Sequence, residues 1–288
     1  MGNSAPATLT SNGSPIPYTS QYFGALRETT PAALSDIRAR YNDDGYVLLR
    51  GAVPAEKVWD IRSAYLDLFG PEMCKDGDTR RGEFAGRMPA LPNHGLKGHP
   101  AHAFVRSEAF RAFTRLPVFK EIAEAIFGNE AEQIRRTPLR HFIPGRKGAS
   151  RAHLDKTYIE GVPADLVTLW VPLGDCPVEA GALLYLDGSH KDAGLEADMR
   201  KYDAPTDRAH DTRPITHDLK WLSDKTGRRW LTTHFKAGDI VVHSPSIVHA
   251  STDTHVDMMR VSTDIRFQRK GAASDPRWHA DWSADDGY

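Results

Sequence analysis

The sequence has few of the features that would tie it to a disulfide scaffold, a polyanion or a membrane. Only two of its 288 residues are cysteine, Cys74 and Cys176, which excludes a disulfide framework and a thiolate zinc site. Lys and Arg number 37 against 38 Asp and Glu, so no overall positive field favours nucleic acid. No run of about 18 apolar residues is present to cross a bilayer. We therefore expect a cytoplasmic protein with a small-molecule partner and no nucleic-acid or membrane partner; the sequence does not indicate its oligomeric state.

The 40% hydrophobic content is enough for one large domain with its own core. Residues 1–20 are rich in Ser, Thr, Pro, Gly and Asn and lack the charged head and apolar run of a signal peptide, so we predict a flexible tail there. Residues 21–288 are predicted to form a single domain. It should be helical over 30–130, with a β core over about 131–270 and a charged surface insertion at 189–214.

Helical signals dominate the first half of the chain. Thr30 followed by Pro31 is typical of a helix start, and apolar residues at helical spacing predict further helices over 54–69, 107–116 and 118–127. A short buried strand is expected at 46–49. Residues 74–102 are crowded with Gly, Pro and charge, which predicts a long ordered loop of the kind that often covers an active site.

The second half of the chain is predicted to be β-structured. Short runs of β-type residues are separated by turn residues, as in an antiparallel sandwich or barrel. These runs cover residues 134–143, 153–159, 166–173, 182–186, 230–235, 240–243 and 260–268.

A histidine and an aspartate in one of these predicted strands are candidate metal ligands. His153 and Asp155 are two residues apart, so in a strand both side chains leave the same face, with Cα atoms roughly 6.5 to 7 Å apart. Two imidazoles and one carboxylate on one face of iron(II) leave positions open for a chelating co-substrate and dioxygen. A His-x-Asp pair alone is weak evidence, because such pairs also occur in solvated surface positions.

The third ligand must come from elsewhere in the chain. His249 is the preferred candidate, since it follows the turn at Gly238 and Asp239 and the strand after it. The thirteen histidines leave other partners open, including His243 and His255 in the same region.

The last predicted strand alternates polar and apolar residues. Arg260, Ser262, Asp264 and Arg266 share one face and Val261, Ile265 and Phe267 the other. The pattern alone favours a polar face in water. The functional interpretation instead turns Arg260 and Ser262 toward a polar barrel interior, where a guanidinium fork and a hydroxyl can hold a dicarboxylate.

Several segments together resemble the phytanoyl-CoA dioxygenase family, over roughly residues 35 to 280. They are 151–155 (RAHLD), 169–175 (LWVPLGD), 181–190 (GALLYLDGSH), 230–239 (WLTTHFKAGD), 248–252 (VHAST), 260–262 (RVS) and 275–278 (DPRW). The resemblance implies a mainly β fold with flanking helices, a double-stranded β-helix or jelly roll. It also implies an Fe(II)-dependent dioxygenase that uses 2-oxoglutarate and O2 as co-substrates.

The resemblance implies a role for particular residues. His153, Asp155 and His249 would bind iron, and Arg260, eleven residues after His249, would bind the far carboxylate of 2-oxoglutarate. His255 and Arg266 share that spacing, but the family's ligand follows the Gly-Asp turn at the distance of His249. The co-substrate would also meet Ser251, Ser262, Trp170 and Arg140, although Trp170 is equally consistent with core packing and Arg140 with an outward-facing position. Because Asp155 is retained where halogenating relatives have a small residue, the resemblance favours hydroxylation-type chemistry.

The substrate is the least constrained part of the prediction. Lys156, Tyr158, Arg87 and His94 are candidates to face it, although each is more often a surface residue. No basic cluster indicates a coenzyme A diphosphate site. We expect oxidation of a small metabolite, in natural-product biosynthesis for example, by hydroxylation, desaturation or ring closure. Two other interpretations stay open, a non-oxidative jelly-roll metalloenzyme and a non-catalytic jelly-roll binding protein; a residue in the position of Arg260 argues against both.

Overall fold

A computed structural model describes residues 7–29, 36–88, 92, 96–146, 148–159, 166–201, 213–273 and 275–283. The helices are α1 (Ile37–Asp44), α2 (Ala55–Leu66), α3 (Pro100–Phe104), α4 (Glu108–Thr114), α5 (Pro117–Phe127), α6 (Leu195–Lys201) and α7 (Leu219–Thr226). The strands are β1 (Thr8–Ser11), β2 (Ser14–Pro17), β3 (Phe23–Ala25), β4 (Glu28–Thr29), β5 (Tyr46–Leu49), β6 (Ala131–Gln133), β7 (Leu139–Phe142), β8 (Leu166–Pro172), β9 (Leu183–Leu186), β10 (Trp230–Thr232), β11 (Ile240–His243), β12 (His249–Ser251) and β13 (Arg260–Arg269).

Two sheets form the jelly-roll core. The larger has the order β4-β5-β11-β8-β13-β6, with β7 also paired to β13, and the smaller has the order β12-β9-β10-β3. Residues of both sheets pack between them: Tyr46 of the larger stacks on Tyr185 of the smaller with ring centroids 5.2 Å apart. This confirms the predicted mainly β fold with flanking helices.

Alternation along the strands gives the larger sheet two different faces. Val167, Leu169 and Val171 of β8 join one buried cluster with helical residues such as Ile61 and Phe119. Trp170 of the same strand points the opposite way, into a cluster that includes residues of the smaller sheet. The helices therefore cover the outside of the larger sheet, and the space between the sheets is left for the site.

The predicted flexible tail is wrong over residues 7–20. β1 and β2 pair as an antiparallel hairpin, and Leu9 and Ile16, opposite each other in its register, are fully buried. Asp253 anchors this hairpin by accepting hydrogen bonds from the Thr10 hydroxyl and the Asn12 amide. Two apolar residues in this polar segment are enough to pack it against the rest of the protein. The overall composition of the segment does not reveal them.

Two further expectations need correction. Residues 153–159 do not form the predicted strand: His153 makes only an isolated bridge to His249, and a 3-10 turn begins at Asp155. Part of the predicted insertion, residues 195–201, is the helix α6, and its Leu195 and Met199 are buried rather than on the surface. Most other predicted elements occur with shifted ends; the helix start at Thr30 and Pro31 lies outside the described residues.

The structure also gives the state of the two cysteines and the character of the helices. Cys74 and Cys176 are both buried free thiols. In the described part of the chain, no helix combines the length and the apolar character that a membrane crossing requires.

Candidate metal centre and co-substrate pocket

Three candidate ligands meet between the sheets. His153, Asp155 and His249 place one ligand atom each within 4.8 Å of one another. His249 begins β12, and His153 lies opposite it, joined by reciprocal backbone hydrogen bonds of 3.0 Å from His153 N and 2.9 Å from His249 N. Two imidazoles with one carboxylate are the ligand set of mononuclear non-haem iron(II) enzymes.

Both imidazoles are oriented by carbonyls of their own chain segment. His153 Nδ1 donates to the Arg151 carbonyl at 2.6 Å, and His249 Nδ1 donates to the Ile247 carbonyl at 3.1 Å. Because a carbonyl only accepts, each ring carries its proton on Nδ1 and presents an unprotonated Nε2. The site therefore offers two neutral nitrogen donors beside a carboxylate, and this donor set fits iron(II).

The Asp155 carboxylate accepts hydrogen bonds from two neighbours and lies close to a third. The Thr168 hydroxyl donates to Oδ2 at 2.6 Å, and Nη2 of Arg266 donates to the two oxygens at 3.2 and 3.3 Å. His243 Nε2 lies 3.5 Å from Oδ2. Asp155 is only 3% exposed, so these groups fix its orientation and balance its charge in a site that excludes bulk water.

The surroundings keep all three groups in the form that binds a metal. Burial lowers the pKa of His153. Burial, together with the neighbouring imidazoles of His153 and His243, lowers the pKa of His249 well below its usual range. Burial alone would raise the pKa of Asp155, but the Arg266 guanidinium and nearby histidines hold it well below its usual range. Neutral imidazoles beside an ionised carboxylate are thus the state at neutral pH.

A second polar cluster lies along the same inner face of β13. Arg260 is 2% exposed, and its guanidinium carbon sits 4.3 Å from the ring centroid of Phe142 and 5.4 Å from that of Trp170. Burial lowers the pKa of Arg260 to about 10, so it remains cationic at neutral pH. Arg260 Nε and Nη1, Ser262 Oγ and Trp170 Nε1 are buried without a hydrogen-bond partner among the described residues.

Unpaired buried donors around a cation are what a bound carboxylate would satisfy. The pattern-based expectation that this polar face lies in water is therefore wrong. Ser262 and Arg266 are as buried as Arg260, because β13 lies inside the larger sheet with its polar residues turned toward the smaller one.

Two other predicted co-substrate residues have different surroundings. Ser251 Oγ accepts a hydrogen bond from the Ser150 amide at 2.8 Å, so part of its capacity is used by the backbone. Arg140 Nε donates to Asp264 at 3.2 Å. Its side chain faces inward rather than out of the sheet, and it lines a cavity next to the candidate ligands.

That cavity is lined by His153 and Asp155, so it reaches the candidate metal ligands. Tyr158 also lines it, with its ring edge-on to His153 at 5.3 Å between centroids. Lys156 and Arg87 do not line it, and Arg87 is exposed. His94 lies outside the described residues.

The alternative third ligands occupy different positions. His255 is exposed and accepts a hydrogen bond from the Thr10 amide, in contact with the N-terminal hairpin. His243 bonds the Tyr185 hydroxyl through Nδ1 at 2.8 Å and directs Nε2 toward Asp155, but its ligand atoms are not part of the converging group of His153, Asp155 and His249. The contacts of Thr168, His243 and Arg266 with Asp155 were not predicted from the sequence, although His243 was considered as an alternative ligand. Arg266 has a detectable signal, since it continues the alternation that begins at Arg260.

Comparisons with known proteins identify the family of the chain. A family model for phytanoyl-CoA dioxygenase (PhyH) matches residues 41–262. The chain is 25% identical over 171 residues to mouse phytanoyl-CoA dioxygenase domain-containing protein 1, and the match covers 59% of this chain and 55% of the mouse protein. The chain thus spans about half the length of that relative.

Crystal structures of two enzymes from nogalamycin biosynthesis share the fold. The non-haem alpha ketoglutarate-dependent carbocyclase SnoK is 22% identical, with a TM-score of 0.59 over 87% of this chain and 90% of its own. The epimerase SnoN, in complex with Fe3+, alpha ketoglutarate and nogalamycin RO, is 25% identical, with a TM-score of 0.56 over 85% of this chain and 87% of its own. With most of its length matched by the family model, the chain belongs to the phytanoyl-CoA dioxygenase family.

Proposed function

We propose that this protein oxidises a C–H bond of a small molecule with iron(II), 2-oxoglutarate and dioxygen, releasing succinate and CO2. The observation that carries the proposal is the convergence of His153, Asp155 and His249 within 4.8 Å. His153 and His249 would bind iron through Nε2, since Nδ1 is engaged in each ring, and Asp155 would bind through a carboxylate oxygen.

The chain's own residues would position the metal and the co-substrate, exclude water from the site and balance the charges of the bound groups. When bound, iron(II) with 2-oxoglutarate and dioxygen supplies an oxidant strong enough to remove hydrogen from carbon. Arg260 would bind the far carboxylate of 2-oxoglutarate, with Ser262 and Trp170 offering donors beside it, since these groups have donors to spare in a buried site. Arg266 and Thr168 hold Asp155 in place, so that its orientation survives the exchange of ligands at the metal.

The reaction and substrate belong to the same proposal. Relatives described as an epimerase and a carbocyclase share this fold, so the same oxidising centre serves different outcomes. We take the substrate to be a small molecule, such as a natural-product intermediate, that undergoes hydroxylation, desaturation or ring closure. We place the substrate in the cavity that is lined by His153 and Asp155, because it reaches both candidate ligands.

Anaerobic mixing of the protein with Fe(II) and 2-oxoglutarate tests the proposal. The chelate on iron should give a weak visible charge-transfer band, which neither a non-oxidative metalloenzyme nor a binding protein without a metal centre should show. His153→Ala should lose the band and all substrate-linked succinate formation. His255→Ala is the matched control and should keep both, because His255 is exposed. Undiminished succinate formation in His153→Ala would refute the assignment.

A further inference from the structure

We propose that the substrate carries an anionic group, a carboxylate or a phosphate, which the arginines of the cavity beside His153 and Asp155 bind. This inference rests on the proposed function and deepens it by naming the chemical class of the molecule that is oxidised. It concerns the substrate and not 2-oxoglutarate, which we place in the Arg260 cluster.

The charge of the cavity lining is one-sided. Asp155, a candidate metal ligand, is the only acidic residue that lines it within the described part of the chain. Five lining residues are arginines: Arg136, Arg140, Arg213, Arg266 and Arg277. Because these arginines are dispersed along the sequence, no run of basic residues predicts the cluster. Guanidinium forks bind carboxylates and phosphates through paired hydrogen bonds, which makes arginine the residue typical of such sites.

The strongest support for an anion site comes from Arg266. It is 3% exposed, and its Nη2 bonds Asp155, whereas Nε and Nη1 have no hydrogen-bond partner among the described residues. Its guanidinium lies over the ring of Trp278, 5.0 Å from the centroid. Asp155 and Asp264 already balance its charge, with oxygens 3.2 and 3.8 Å from Nη2. Nε and Nη1 remain unsatisfied in a buried position, and an anionic ligand is the acceptor that would satisfy both.

The other arginines are held around the same space by their neighbours. Arg140 donates to Asp264 at 3.2 Å, and the Arg213 guanidinium sits 4.4 Å from the centroid of the Tyr158 ring. Arg277 pairs with Asp275, which does not line the cavity. Such contacts fix the positions of the guanidinium groups before a ligand arrives, so an anion would meet a prearranged site.

The cavity and the proposed co-substrate cluster are made of different residues, apart from Arg140, which was expected to meet the co-substrate and lines the cavity. Of the described residues, Arg260, Ser262 and Trp170 are not part of the lining, whereas His153 and Asp155 are. One anion site would therefore hold 2-oxoglutarate and the other the substrate. Since Arg266 touches Asp155, an anion on its remaining nitrogens lies close to the metal, and the oxidised carbon should be only a few bonds from the anionic group.

Calorimetry with simple probes tests the anion site. The protein, loaded with Fe(II) and 2-oxoglutarate without oxygen, would be titrated with benzoate, phenyl phosphate and neutral benzamide. We expect at least one of the anions to bind more tightly than benzamide, and the tighter of the two identifies the preferred group. The double variant Arg213→Gln/Arg277→Gln should bind that anion about tenfold or more weakly, because hydrogen bonds to charged groups are lost. Arg115→Gln, an exposed arginine away from the cavity, is the control and should bind as the unchanged protein does.

The outcomes separate this inference from the proposed function. Equal binding of benzamide and both anions, or equal anion binding by the double variant and Arg115→Gln, would overturn the anion site. Loss of anion binding in Arg260→Met would also overturn it, since the probes would then be reporting the co-substrate cluster. Arginine-dependent anion binding without any charge-transfer band would leave the anion site standing and remove the oxygenase proposal.

A substrate screen gives the second test. Carboxylic acids and phosphate monoesters would be compared with their neutral methyl esters for coupled succinate release. The acids and monoesters should be the active members of each pair, and the double variant should raise their KM. Preference for the neutral esters would contradict the inference.

Discussion

The inner and outer faces of β13 are made from alternate residues of one ten-residue strand, yet they have different roles. On the outer face, Val261, Ile265 and Phe267 join the cluster formed with the helices. On the inner face, Arg260 lies in the proposed co-substrate cluster and Arg266 holds Asp155. Both faces are buried, so burial does not tell them apart. What differs is whether the side chains satisfy one another or retain donors for a ligand.

The comparison teaches that stability and chemistry should be separable by substitutions one residue apart. A change on the outer face should lower the free energy of unfolding and leave ligand binding per folded molecule unchanged. A change on the inner face should alter ligand binding more than it alters the free energy of unfolding.

The largest expected effect is on the inner side, at the carboxylate that Arg266 holds. Asp155→Asn should lose iron and reduce succinate formation to background, because a neutral amide is a weak ligand and leaves a buried guanidinium without its counter-charge. Iron content after desalting and succinate release would measure this. Asp224→Asn, a partly exposed carboxylate in a surface ion pair, is the matched control. Full iron loading of Asp155→Asn would contradict the assignment.

The next effect is on the outer face. Ile265→Ala removes a fully buried side chain from the helix-facing cluster and should lower the free energy of unfolding by about 2 to 5 kcal/mol. Chemical denaturation measures this, with the half-exposed Leu68→Ala expected to change little. The folded variant should still form the charge-transfer band. If Ile265→Ala lost the charge-transfer band but kept its free energy of unfolding, the two faces would not have separate roles.

Arg260→Met should weaken 2-oxoglutarate about 10- to 100-fold, because hydrogen bonds to a charged group contribute about 1.5 to 3 kcal/mol. Iron binding should be unaffected, since Arg260 makes no recorded contact with the candidate ligands. Titration of 2-oxoglutarate against the visible band gives the affinity. Arg269→Met, on the opposite face of the same strand, is the control; equal weakening in both variants would argue against a carboxylate site at Arg260.

The smallest expected effect comes from replacing a threonine by valine, and the same substitution on the outer face of β13 serves for comparison. Thr168→Val loses the 2.6 Å hydrogen bond to Asp155 and should weaken iron binding about tenfold, the lower end for such supporting contacts. Thr263→Val loses a hydrogen bond to the Pro138 carbonyl on the outer side of β13 and should affect only stability. Competition with a metal chelator would measure iron affinity. Identical iron affinities in the two variants would show that Thr168 does not position Asp155.

Local signals explain which elements could be predicted from sequence. The helices near 107–116 and 118–127 were expected and occur as α4 and α5, where Ser107 caps the first and Gly128 ends the second. The strand expected at 153–159 is absent because the chain turns at Asp155, against the β propensity of the residues around it. Propensity describes single residues, whereas this turn is set by contacts with distant strands.

The residues of the candidate site also differ in whether the sequence predicts them. His153, Asp155, His249 and Arg260 were expected together from the resemblance to the phytanoyl-CoA dioxygenase family, and the structure brings the first three together. Thr168 and Arg266 were missed because they support Asp155 through the register of β8 on β13, in which they face each other. Register is set by the pairing of whole strands and cannot be read from either segment alone.

The reciprocal backbone hydrogen bonds between His153 and His249 have a consequence for how this chain tolerates change in length. They tie the two histidines to each other through the main chain, so the spacing of the imidazoles does not depend on the path the polypeptide takes between them. Segments inserted or deleted along that path, such as the stretch around α6, can remodel the surroundings of the substrate while the two nitrogen donors keep their separation.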